Sequence, residues 1–244
     1  MQLLTSDFQD QLVRGLSHRM NNILSLFHGY LGLLMDDQKL DPVAREGLQK
    51  IKDGARDASN LMERTNSLVR PNSAIWRDIN LAELLRQLRP TFENSSSPHV
   101  RIEIECEEDL PRVWVDASRL RLALIELVRN ACEAAKSRVT IRVTANEGRV
   151  QGELFQTEAG QPEHWLYVSI SDDGAGIPIE NADQIYTPFY TTKRKQQSAG
   201  LGLTVALGCA QQLSGTLRHT SIPGETTFEL VLPSRVAQEL SAVA

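Results

Sequence analysis

The 244-residue sequence has few cysteines: Cys106, Cys132 and Cys209, an odd number set far apart. None stands at a metal-ligand spacing such as C-x-x-C, so neither a disulfide framework nor a zinc site is expected, and a reducing, cytoplasmic setting fits. Basic charge is also short. The formal net charge is −5, which argues against general nucleic-acid binding, a function that needs a basic surface. Long apolar runs are missing too. The longest, residues 23–35, is broken by His28, Gly29 and Gly32 and falls short of the ~20 residues a membrane span needs. Asp7 and Asp10 stand where a leader would be basic, so no secretory leader and no membrane insertion are expected. What is present is 41% hydrophobic residues, enough for a packed core in one large domain or two small ones.

Residues 8–35 read as a helix. Leu12, Leu16, Met20, Ile23, Phe27, Leu31 and Leu34 recur at three- and four-residue steps and share a stripe. Asp36 to Lys39 form a polar turn. Asp41-Pro42 then starts a second helix, Asp as cap and Pro at the first helical position. Ala44, Leu48, Ile51, Ala55, Ala58, Met62, Thr65 and Val69 form its seam, and Arg70-Pro71-Asn72 stops it. Two long helices with a short turn make an antiparallel hairpin. A lone hairpin cannot bury both stripes, so pairing of two copies into a four-helix bundle, a homodimer, is expected. The opposite face of the first helix is small and polar: Gly15, His18, Asn22, Ser25, Gly29 and Gly32. Each glycine there costs about 1 kcal/mol against Ala, a loss that makes sense if another surface approaches the backbone. His18 and Asn22 are one turn apart on this face; His28 lies on a flank and reads as structural.

Residues 70–80 read as a polar connector, with Asn80 capping a helix over Leu81 to Leu88. Strands are expected over 100–106 and 113–115, a helix from Asp116 through Ala135, and strands over 138–145, 149–155 and 165–171. A helix over 200–213 and strands over 215–220 and 225–232 follow. Helices on one face of a mixed sheet make an α/β sandwich. The expected division is 1–70 for the hairpin, 71–80 for a linker and 81–244 for the second domain.

Three short pieces in this second part carry the chemistry. Glu126 and Asn130 sit one turn apart in Glu126-Leu127-Val128-Arg129-Asn130-Ala131. Asp172-Asp173-Gly174-Ala175-Gly176-Ile177-Pro178 follows an apolar strand. Gly200-Leu201-Gly202-Leu203 opens a helix, preceded by Thr187-Pro188-Phe189-Tyr190-Thr191-Thr192-Lys193. In this order the pieces resemble the nucleotide site of the ATPase superfamily shared by histidine kinases, gyrase, MutL and the large heat-shock chaperones (GHKL). The segment from Pro188 to Lys193 is similar to the phenylalanine box of nitrogen-regulation type histidine kinases. Ser17-His18-Arg19-Met20-Asn21-Asn22 resembles the phosphoacceptor box of sensor histidine kinases.

The resemblance covers residues 8–232 and implies an α+β fold: a dimerising helical hairpin followed by a Bergerat-type ATP-binding α/β sandwich. It implies that His18 takes the phosphoryl group of ATP and that Asn22 orients water for dephosphorylation. Asn130 would be the Mg²⁺ ligand, since Mg²⁺ takes hard oxygens and keeps several waters, with Glu126 the polarising carboxylate. Asp172 would accept from the adenine amine, and Gly174 and Gly176 would let backbone approach the base. Gly200, Leu201 and Gly202 would offer helix N–H groups to phosphate, and Lys193 would close a basic lid over it. A response regulator receiver domain would take the phosphoryl group onward, and a separate sensor or scaffold protein would supply the signal. One position departs from the common pattern: Arg19 stands where most such kinases carry an acidic residue, as it does in HWE-type and related kinases. A cation there disfavours imidazole protonation and supplies no base. It leaves open a phosphotransfer or phosphatase module with weak autokinase activity; a serine kinase acting on a partner protein is a third reading.

Overall fold

The computed structural model describes residues 6–37, 40–67, 75–108, 110–147, 164–192 and 199–234. The chain forms two compact units, Met1–Pro71 and Asn72–Ala244.

The first unit is a helical hairpin of α1 (Ser6–Met35) and α2 (Pro42–Ser67). Asp41 caps α2, its Oδ2 accepting from the N–H groups of Val43 and Ala44 at 3.0 and 3.2 Å. Arg45 closes the other end of the turn by donating to the carbonyls of Met35 and Asp37, both at 2.9 Å. The apolar seam differs from the expected one. Among the described side chains, Ser17, Leu24 and Leu31 are buried on α1 and Ala55 on α2. Leu16, Met20, Ile23, Phe27 and Leu34, expected on the core stripe, stay exposed by 38–53%. A two-helix unit has one contact line, and the Ser17–Leu24–Leu31 row of seven-residue steps occupies it. His28 Nε2 lies 3.4 Å from Ser59 Oγ on α2, which agrees with a structural role.

The second unit opens with β1 (Trp76–Ile79), which pairs antiparallel with β3 (Val113–Asp116). The connector expected over 70–80 therefore contains a strand. Four residues are too few for alternation to announce themselves. α3 (Leu81–Ser95) starts at Asn80, whose side chain accepts from Glu83 N–H, and runs past the expected stop at Leu88 and through Pro90. Pro in a helix costs about 3 kcal/mol. Here Pro90 is exposed, while Leu88 and Phe92 on either side are buried. Each contributes about 1.5–3 kcal/mol of burial, which carries the helix onward.

β2 (Arg101–Cys106), β4 (Arg138–Glu147), β5 (His164–Asp172), β6 (Thr216–Ile222) and β7 (Glu225–Ser234) form one sheet in the order β2-β4-β5-β7-β6. β2 runs parallel to β4 and the other neighbours are antiparallel. The strand expected over 149–155 lies outside the described residues. Alternation sorts the two faces. Val139, Ile141 and Val143 on β4, Leu166, Val168 and Ile170 on β5, and Phe228, Leu230 and Leu232 on β7 are all buried. They back onto α3, α4 (Ala117–Ala134) and α5 (Gly202–Gln212), whose own buried rows include Leu120, Leu124 and Leu127. The other face carries Arg142 paired with Glu105, Arg218 with Glu229, and Ser171 hydroxyl-bonded to Thr227 at 2.7 Å. This is the α/β sandwich expected from the element order. No described helix is long and apolar enough to cross a membrane.

Candidate functional site

In the second unit the three sequence pieces converge on one cavity of about 250 Å³. Strand parity explains its floor. Asp172 ends β5 on the same face as Leu166, Val168 and Ile170, so its carboxylate points inward and is only 3% exposed. It pairs across to Val139 on β4 and Thr226 on β7. Thr226 and Phe228 line the cavity beside it. Asp172 Oδ1 accepts from Gly174 N–H at 2.9 Å. A Cβ at Gly174 would fall 2.5 Å from that oxygen and 2.7 Å from the Ala134 carbonyl oxygen. Glycine is thus what lets this turn close against the end of α4.

Asp173 does something else. One residue further along, its carboxylate collects the N–H groups of Lys136, Ser137 and Arg138 and the Ser137 hydroxyl. These donors hold its carboxyl well below the usual carboxylate range, the Ser137 bonds contributing most. Asp173 therefore clamps the α4–β4 turn while Asp172 faces the cavity. The sequence reading separated the two aspartates but found no work for the second; its signal is the Ser137 donor at the facing turn.

α4 forms one wall. Asp116 caps it, Oδ1 accepting from Ser118 and Arg119 N–H at 2.9 and 3.3 Å. Asn130 is half-buried and lines the cavity. Glu126, one turn earlier, is 2% exposed and ion-paired with Arg129. The start of α5 faces it: a Cβ at Gly202 would stand 3.0 Å from Glu126 Oε2. Gly200 holds φ +66° in a turn where its carbonyl accepts from Phe189 N–H at 2.9 Å, a conformation glycine adopts without strain. Leu201 is buried to 1% and anchors the turn. Gly176, Ile177 and Tyr190 complete the rim. Lys193, expected in the lid, lies outside the described residues.

The loop beside the rim is tied to the sheet by a pair the sequence reading missed. Tyr186 hydroxyl and His219 Nδ1 are 3.0 Å apart, and Thr204 Oγ1 donates to the Tyr186 carbonyl at 3.0 Å. Burial pushes the Tyr186 phenol up to about 12 and lowers the His219 imidazole, so both are neutral near pH 7 and the bond needs no charge. Nothing in a single sequence pairs a tyrosine with a histidine 33 positions away.

In the first unit His18 is exposed on α1, and Asn22 Nδ2 lies 3.4 Å from its Nδ1. A Cβ added at Gly15, Gly29 or Gly32 would meet no described atom within 4 Å, so these glycines are not required by packing inside the hairpin.

Residues 115–236 match the family described as histidine kinase-, DNA gyrase B-, and HSP90-like ATPase, and residues 8–74 match the His Kinase A (phospho-acceptor) domain. The first match alone spans half of the chain, and the chain belongs to that ATPase family, on the branch of sensor histidine kinase cores. It is 29% identical over 227 residues to the sensory histidine kinase/phosphatase NtrB of Vibrio alginolyticus, covering 91% of this chain and 61% of that one. It is 26% identical over 230 residues to the sensor histidine kinase ZraS of Escherichia coli K12, covering 93% and 46%. The chain thus spans about three fifths or less of these curated relatives. In fold it is similar to full-length ShkA, crystallised in complex with AMPPNP, with a TM-score of 0.72 at 18% identity, covering 93% of this chain and 46% of that one. The histidine kinase AdeS of Acinetobacter baumannii superposes with a TM-score of 0.58 at 19% identity, over 90% and 98%.

Proposed function

We propose that this chain is an ATP-dependent protein-histidine kinase that phosphorylates His18 and passes the phosphoryl group to an aspartate of a response regulator receiver domain. The observation that carries this reading is the buried carboxylate of Asp172 at the floor of a cavity whose walls bring together Asn130, Gly176, Gly200 and Gly202, in a chain that also displays His18 on an open helix face.

Asp172 accepts the adenine amine, and Thr226 and Phe228 flank the base. The phosphates run toward the N-terminus of α5, where the helix dipole and N-terminal N–H groups favour anions. Asn130 offers a neutral amide oxygen and Glu126 a carboxylate one turn away, a hard-oxygen set that fits Mg²⁺. Mg²⁺, when bound, neutralises the phosphate charge. Transfer is then mostly a matter of positioning. The lone pair of an imidazole nitrogen of His18, in the same or the paired subunit, forms the P–N bond. The bond from the γ-phosphorus to the bridging oxygen breaks, and its electrons leave with ADP. Asn22 contacts Nδ1. With its amide oxygen turned there it holds the proton on Nδ1 and leaves Nε2 as the nucleophile. That contact supplies part of what Arg19 does not. In the reverse, dephosphorylating direction the same amide orients water.

The exposed row Leu16, Met20, Ile23, Phe27 and Leu34 supports a homodimer in which two hairpins complete a four-helix bundle. The test is incubation of the full chain with γ-labelled ATP beside His18→Ala and Asn130→Ala forms. Acid-labile label on the wild type, lost in both variants, is the expected result. ATP binding without label would favour a phosphotransfer or phosphatase module, and acid-stable label surviving His18→Ala would favour a serine kinase.

A further inference from the structure

Arg129 pairs with Glu126 but has no role in the proposed phosphoryl transfer. It stands next to Asn130 on α4 and lines the cavity. Its Nη2 pairs with Oε2 of Glu126, and its Nε lies 3.5 Å from Oε1 of Glu133. Its side chain is 31% exposed, whereas that of Glu126 is 3% exposed. Among the described residues that line the cavity it is the sole cationic side chain, set against the carboxylates of Glu133 and Asp172.

Its place along α4 is informative. The adenine end of the cavity is fixed at the last turn of α4, where the turn at Gly174 closes on the Ala134 carbonyl. Arg129 is five residues back, roughly 7.5 Å along the axis at 1.5 Å per residue, and Glu126 is eight back, about 12 Å. Helical side chains lean toward the N-terminus, and pairing with Glu126 draws the guanidinium that way. The start of α5 meets it there: a Cβ at Gly202 would stand 3.5 Å from Arg129 Nη2. The one cationic side chain among the described lining residues thus sits at the far end of the cavity from the base, where the terminal phosphate of a nucleotide would lie. A polyphosphate brought against two carboxylates without a cation would be repelled. A guanidinium, with five N–H donors in a planar fork, can serve a carboxylate and a phosphate at once.

We propose that Arg129 is a nucleotide-binding residue that contacts the terminal phosphate and so distinguishes a nucleoside triphosphate from a diphosphate, while its other edge keeps Glu126 in place. This rests on the cavity being the ATP site. The test is calorimetric titration of the full chain, wild type, Arg129→Gln and Arg129→Lys, with the Mg²⁺ complexes of ADP and of a non-hydrolysable ATP analogue. Loss of a charge-assisted contact predicts roughly 10- to 100-fold weaker binding of the triphosphate to Arg129→Gln, with ADP affinity changed far less. Arg129→Lys keeps the charge without the fork and falls between. Equal weakening of both nucleotides would overturn the proposal and leave Arg129 as a support for Glu126 alone, and unchanged triphosphate binding would overturn it outright. A wild type that binds neither nucleotide would sink the ATP reading itself, before any variant is compared.

Discussion

The two units of this chain handle their apolar residues in opposite ways. The α/β unit buries Phe92, Phe228, Leu124, Leu166 and Ile170 almost completely, and charged groups on its open sheet face pair with one another. The helical unit leaves Leu16, Ile23, Phe27, Tyr30 and Leu33 between 48 and 71% exposed. The α/β unit closes its core within one copy; the hairpin leaves an apolar row exposed. The chemistry divides along the same line. The α/β unit encloses a cavity of about 250 Å³ with an inward carboxylate, and the hairpin displays an exposed histidine. On the proposed function, one unit holds a small ligand and the other is covered by protein.

That contrast can be broken most sharply by truncating one phenylalanine in each unit. Phe92→Ala should destabilise the α/β unit by about 3–5 kcal/mol, since it opens a cavity in a closed core. Phe27→Ala should cost far less at high dilution, as an exposed side chain is worth about 0.5 kcal/mol or less, but should weaken self-association. Denaturant unfolding and sedimentation across a range of protein concentrations would measure both. Equal losses, independent of concentration, would mean the hairpin is complete as a monomer.

A smaller effect should follow acidification of the clamp behind the cavity. Asp173 has its carboxyl depressed in the folded state by the Ser137, Lys136 and Arg138 donors, so its stabilising contribution is full above the unfolded carboxylate range and fades as pH falls below about 4. Asp173→Asn should lower the melting temperature at pH 7, and its gap from wild type should narrow at pH 3. A gap that stays constant with pH would mean the clamp works by shape alone.

Most of the fold and the cavity were legible because the signals were local. The apolar run over 165–170 marked the strand that ends at Asp172, and one-turn spacing put Glu126 and Asn130 on one helix face, while the choice of Asp172 over Asp173 came from the family resemblance. The misses share a cause. β1 is too short to show a period, α3 runs through Pro90 because Phe92 beyond it is buried, and the seam of α1 was read as the wider apolar stripe when a single hairpin uses only the Ser17–Leu24–Leu31 line. Arg129 and the Tyr186–His219 tie escaped for a different reason. Their roles depend on what stands opposite them in space, and neither motif spacing nor composition carries that.

The central claim is that the phosphoryl group of ATP ends on a histidine of the open hairpin. It is tested most directly by mapping the modified residue in the full chain after incubation with Mg²⁺·ATP, by mass spectrometry at neutral to basic pH. The account predicts a single phosphorylated peptide carrying phosphohistidine at His18, with the mark lost on acid treatment. Phosphate on a serine or threonine, or on any residue in the His18→Ala form, would contradict it.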